Sequence, residues 1–153
     1  MAKSEKIQST AAMFVAVIAL LISVWQGCEE RRYNRFSVRP LLNFDLHSSS
    51  GTRTIKLANE GLGPAIFKQF VIEIDGKKYN AENGNPWEAV LEKRGLRNKF
   101  SQMYYYADGT IMQANNSANL LIWKVDSIRR LNIVIDVTYE SIYEERFHLK
   151  EEF

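Results

Sequence analysis

The chain has 153 residues, 46% apolar and 12% aromatic, enough for one packed domain plus an accessory segment and too apolar for a disordered chain. Its net charge of +2 is uneven: residues 1–39 hold six Lys/Arg against three Asp/Glu, and the remainder fourteen against fifteen. With no basic excess on the domain, a duplex nucleic-acid binder is disfavoured, and the single cysteine, Cys28, excludes an intrachain disulfide.

In chain order, the first feature is a run of 22 uncharged residues from Ile7 to Cys28, between Lys6 and Glu29. As a helix it would extend roughly 33 Å, enough for a bilayer core of about 30 Å. The alternative is a cleaved signal or a lipoprotein signal ending at Cys28. Trp25-Gln26-Gly27 is a poor lipoprotein processing site, and no A-x-A site follows. Residues 1–28 are therefore expected to be a tail and transmembrane helix. Arg31, Arg32, Arg35 and Arg39 on the C-terminal side outnumber Lys3 and Lys6, which favours a cytoplasmic C-terminal domain in a bacterial inner membrane.

Along that helix Ser9, Ala12, Ala16, Ala19, Ser23 and Gly27 recur at spacings of three and four, a stripe of small residues. In lipid, small residues let helices approach closely, so the stripe predicts a self-association seam and a homo-oligomer. Residues 29–40 read as a basic juxtamembrane helix or linker whose arginines reach the headgroups of the lipid bilayer. Arg39-Pro40 ends it, because the residue before proline avoids the α region.

Residues 41–153 change to a strand-like period. Leu42, Phe44 and Leu46 alternate with polar residues, Ser48–Gly51 turns the chain, and a strand covers 52–58. Another covers 67–74, followed by a tight hairpin at Asp75-Gly76. Asn85-Pro86-Trp87-Glu88 predicts a short helix to about Arg94, with Asn85 as its cap and Glu88 reaching back. Further strands are expected near 99–106, 109–114, 119–125, 131–139 and 146–149. This is a mainly β fold: an antiparallel β-sandwich or barrel with one short helix.

Asn34-Arg35-Phe36-Ser37-Val38-Arg39-Pro40 and Leu57-Ala58-Asn59-Glu60-Gly61-Leu62-Gly63-Pro64-Ala65 resemble a recurrent bacterial group of small proteins. In that group a single N-terminal span precedes a β domain with an "N-x-G-x-G-P-A" turn. The resemblance covers roughly residues 10–80 and implies anchoring and fold, with no catalytic residue. Taken alone, the turn reads as structural: Gly61 and Gly63 permit positive φ, and Pro64 stiffens the next strand.

No hydrolase, zincin, nucleotide-loop or C-x-x-C motif is present, and His47 and His148 are a hundred residues apart. No enzyme, metal or cofactor is expected. One cluster suits an anionic ligand: Lys93, Arg94, Arg97 and Lys99, followed by Tyr104, Tyr105 and Tyr106. Cations for phosphate and aromatic faces for bases would fit a cyclic nucleotide or oligonucleotide. The expected function is a membrane-anchored sensor or effector whose β domain binds a partner or such a ligand. In layout it is similar to anti-phage membrane effectors that answer to nucleotide second messengers, including those accompanying type III CRISPR systems. The alternative is a periplasmic envelope adaptor, lipoprotein-like and without a ligand.

Overall fold

A computed structural model of the protein describes residues 2–81, 84–125 and 132–153. The chain divides into two compact units, residues 1–37 and 38–153. The first is one helix, α1 (Ala2–Ser37), which runs through Cys28 without a break. Its stretch from Ala11 is long and apolar enough to cross a membrane, and the most apolar part is wholly exposed. The Ser23 hydroxyl donates to the Ala19 carbonyl (2.9 Å), so it is satisfied within the helix. The helix stops at Ser37, and Val38, Arg39 and Pro40 already belong to the second unit.

Among the described residues that unit holds nine strands: β1 (Leu42–Ser49), β2 (Thr52–Asn59), β3 (Ala65–Ile74), β4 (Lys77–Asn80), β5 (Phe100–Met103), β6 (Ile111–Met112), β7 (Ser117–Lys124), β8 (Ile133–Glu140) and β9 (Arg146–Glu152). A short helix, α2 (Pro86–Lys93), follows β4. All pairings are antiparallel. One sheet has the order β1-β2-β7-β5; the other is β4-β3-β8-β9, with β6 beside the start of β3. The fold is thus a β-sandwich with one short helix, preceded by the long apolar helix.

Alternation puts Phe44, Ile55 and Leu57 of the first sheet against Phe67, Phe70, Ile72, Ile135 and Val137 of the second, all but Phe44 essentially inaccessible. Register shifts occur in three pairings, and two of them shape the core. One at Lys68 separates Phe67 from Phe70 by three residues while keeping both inside and turning Lys68 out. The other, facing Ile55-Lys56, lets Leu120 and Leu121 both be buried. Helix α2 adds Trp87, Val90 and Leu91 to the same core, and the Trp87 indole donates to the Tyr104 carbonyl (2.7 Å).

The α2 cap differs from the sequence expectation in one respect. Asn85 does accept from the Trp87 amide (3.0 Å), with Pro86 at the first position. Glu88 does not reach back; its carboxylate takes the Arg97 guanidinium at 2.9 Å. Strand boundaries shift as well. The expected 99–106 strand stops at Met103, because Tyr106 must turn into the core, and Leu131 lies outside the described residues.

Candidate functional site

The most densely bonded polar site of the sandwich is the junction where the chain leaves α1. Asn59, at the end of β2, is 1% exposed and surrounded by backbone. Its side-chain oxygen accepts from the amides of Leu41 (3.1 Å) and Gly61 (3.1 Å). Its side-chain nitrogen donates to the carbonyls of Gly63 (2.9 Å), Gln113 (3.2 Å) and Met112 (3.3 Å). One amide therefore ties residue 41 to the β2–β3 turn and to β6. A buried polar group persists only when so satisfied.

The glycines of that turn act through space and not, as the sequence suggests, through positive φ. Neither Gly61 nor Gly63 has a left-handed backbone. A Cβ on Gly63 would sit 1.6 Å from the Val38 carbonyl oxygen, and one on Gly61 2.3 Å from the Leu41 nitrogen. The turn is packed flat against residues 38–41. Across that contact the Arg39 carbonyl accepts from Leu62 (3.1 Å) and Gly63 (3.4 Å), and the Leu41 carbonyl from Glu60 (2.8 Å).

Side chains extend the clamp into the second sheet. The Arg39 guanidinium lies 4.7 Å over the Phe147 ring, which stacks at 5.3 Å on Tyr139. The Tyr139 hydroxyl accepts from the Leu42 amide (3.3 Å), and burial raises its pKa. Next along β8, buried Glu140 takes Arg146 (2.8 Å) and Lys68 (3.2 Å). The Arg146 hydrogen bond, helped by Lys68, holds that carboxyl below its ordinary range against the opposing effect of desolvation.

The basic-aromatic cluster is dispersed. Arg94 is ion-paired with Asp75, whose carboxyl it holds below the usual range, and Arg97 with Glu88. Lys99 is exposed. Tyr106 is a core residue, stacked flat on Phe67 (4.0 Å, 8°), and burial, with Tyr104 beside it, pushes its hydroxyl up to about 12. Tyr105 packs half-buried against the core, and Tyr104 stands edge-on to Tyr106 at 5.1 Å with 44% of its surface exposed. Lys93 borders a cleft. That cleft, of about 480 Å³, lies between β3, β4 and α2 and adds Lys78, Tyr79, Gln69 and Asn85. Lys93 sits 5.9 Å above the Tyr79 ring. A second hollow, of about 630 Å³, is lined by Glu73, Asp75, Glu151 and Glu152 against Lys150, the wrong sign for an anion.

On the unbroken α1, Ser9, Ala12, Ala16, Ala19, Ser23 and Gly27 share one face, and Cys28 is exposed. His148 pairs with Asp136 (2.7 Å) and His47 is exposed; no group of three metal-ligating side chains occurs among the described residues. Sequence reading missed Asn59 as a hub and Lys78 as the partner of Lys93. An asparagine two residues before G-x-G-P was the available signal for the first, and the hairpin that returns Lys78 toward α2 for the second. The chain matches no known family, no curated protein and no solved structure.

Proposed function

We propose that the protein is a single-pass protein of the bacterial inner membrane, self-associated through α1. Its cytoplasmic sandwich is a head that binds a partner or small anionic ligand. The observation that carries this reading is the apolar helix α1, long enough to cross a membrane, leading into a chain entry that the sandwich grips. Helix α1 ends at Ser37, and Val38–Leu41 are already gripped by Asn59 and the Gly61–Gly63 turn. The cleft at Lys78, Tyr79 and Lys93 is where a phosphate-bearing ligand would find cations and an aromatic face. A layout of this kind suits a sensor or effector such as those of anti-phage defence. The second reading, a ligand-free periplasmic adaptor, draws support from the neutralisation of Arg94 and Arg97 by carboxylates.

The test uses the full chain in membranes, with Ser23→Cys in a Cys28→Ser background so that disulfide crosslinking reports span proximity. A panel of mononucleotides, cyclic and linear oligonucleotides and polyphosphate is screened for a rise in melting temperature. Saturation at 100 times Kd would add about 2.7 kcal/mol. The ligand that raises the melt should also change the crosslinking yield. If no compound shifts the melt, and a reporter fused after Phe153 is active only in the periplasm, the adaptor reading replaces this one.

A further inference from the structure

Two lysines from separate elements line the cleft between β3, β4 and α2: Lys78 comes from β4 and Lys93 from the last turn of α2. The neighbouring arginines are engaged, Arg94 by Asp75 and Arg97 by Glu88. Among the described residues neither lysine is in an ion pair, and no carboxylate lines the cleft. Glu73, the register partner of Lys78, lines the acidic hollow instead.

The other walls narrow the chemistry. The Asn85 side-chain oxygen accepts from the Trp87 amide, which leaves its amide nitrogen as a donor to the cleft it lines. Gln69 and Asn80 add further amides. A carboxylate ligand is matched best by the planar fork of arginine, and both nearby forks are occupied. A phosphate accepts the point charge of lysine; it carries about two charges and accepts through all its free oxygens. A nucleobase would need Tyr79 as its platform. That ring packs half-buried against the core, and the Lys93 ammonium stands over it at 5.9 Å. The contact is a cation–π seat that holds the ammonium in place, and a base lying there would have to displace it.

We infer that the cleft recognises a chain of two or more phosphates through Lys78 and Lys93 and does not read a base. Two cations on separate elements suit a phosphate chain better than a single anion. The inference rests on the anionic-ligand reading above and names its ligand class: pyrophosphate or a longer phosphate chain, free or as the phosphate end of a nucleotide whose nucleoside is not recognised.

The experiment is isothermal titration calorimetry of the full chain in a neutral detergent at one ionic strength. The ligands are pyrophosphate, tripolyphosphate, ATP, adenosine, cyclic AMP and citrate. Tripolyphosphate and ATP should bind alike, because a stacked base would tighten ATP by about fivefold or more. Adenosine, cyclic AMP and citrate should not bind. Lys78→Ala with Lys93→Ala should remove binding and keep the unliganded melt, since both side chains are exposed; Arg94→Ala with Arg97→Ala should leave binding in place. Tyr79→Leu, which unseats Lys93, should weaken tripolyphosphate and ATP equally.

Four results would overturn the inference while sparing the anionic-ligand reading: ATP binding fivefold or more tighter than tripolyphosphate, Tyr79→Leu weakening ATP alone, citrate binding as well as pyrophosphate, or binding that survives the double lysine substitution. If none of these ligands binds but an oligonucleotide raises the melt, this inference alone falls. If nothing in either set binds, both fall.

Discussion

Replacing Gly63 with alanine isolates the clamp. The added methyl would lie 1.6, 2.3 and 2.9 Å from the Val38 carbonyl oxygen, carbonyl carbon and Cα, all backbone atoms that cannot swing aside. Residues 38–41 must therefore leave the turn. That departure breaks four hydrogen bonds: Leu62 and Gly63 to the Arg39 carbonyl, Leu41 to Asn59, and Glu60 to the Leu41 carbonyl. At about 1 kcal/mol net each, the cost is roughly 4 kcal/mol. For a unit of this size, at about 4 °C per kcal/mol, the melt should fall by roughly 15 °C. Gly51→Ala is the control: its Cβ meets nothing and only the positive φ is strained, for about 1 kcal/mol. The assay is thermal unfolding by near-ultraviolet circular dichroism, on the full chain in detergent and on a chain starting at Leu41. Without Val38 the Gly63→Ala penalty should shrink to under about 1 kcal/mol. A melt within a few degrees of wild type, or an equal penalty in the shortened chain, would refute the reasoning.

Three further outcomes are expected. Tyr106 should ionise near pH 12 in an ultraviolet tyrosinate titration; its raised pKa means that the stability from the neutral phenol is complete below 10.0 and is lost as pH climbs through about 12. Ala16→Leu with Ala19→Leu should reduce Ser23→Cys crosslinking in membranes, whereas Phe14→Leu, off the small-residue face, should leave it unchanged. Arg94→Ala with Arg97→Ala should lower the melting temperature by no more than a few degrees, since both pairs are largely exposed and such pairs contribute about 0–1 kcal/mol each.

What was legible in the sequence was what depends on neighbours along the chain. Leu42, Phe44, Ile55 and Leu57 show their inward face by alternation, and Asn85-Pro86 marks the start of α2 without help from tertiary structure. What depends on distant chain was hidden. Glu88 looks like a cap partner by spacing, but a nearby arginine nine residues on offers a stronger hydrogen bond. Arg94 looks free for phosphate until the β3–β4 hairpin brings Asp75 to it, nineteen residues away. Gly61 and Gly63 announce a turn, yet the reason for them is the approach of Val38 and Leu41 from the other side of β1 and β2. The bulge at Lys68 blurs the period of β3 at the position where Lys68 is needed outside for Glu140.

The central claim, that residues 38–41 are held to the sandwich by Asn59 and the Gly61–Gly63 turn, is tested most directly by amide hydrogen exchange on the full protein. The amides of Leu41, Gly61 and Leu62 donate to Asn59 and to the Arg39 carbonyl. They should exchange as slowly as the amides of β2 and β8 in the core, because releasing them requires opening the sandwich. If these three exchange at the rate of free chain while β2 and β8 stay protected, residues 38–41 are not clamped and the account is wrong.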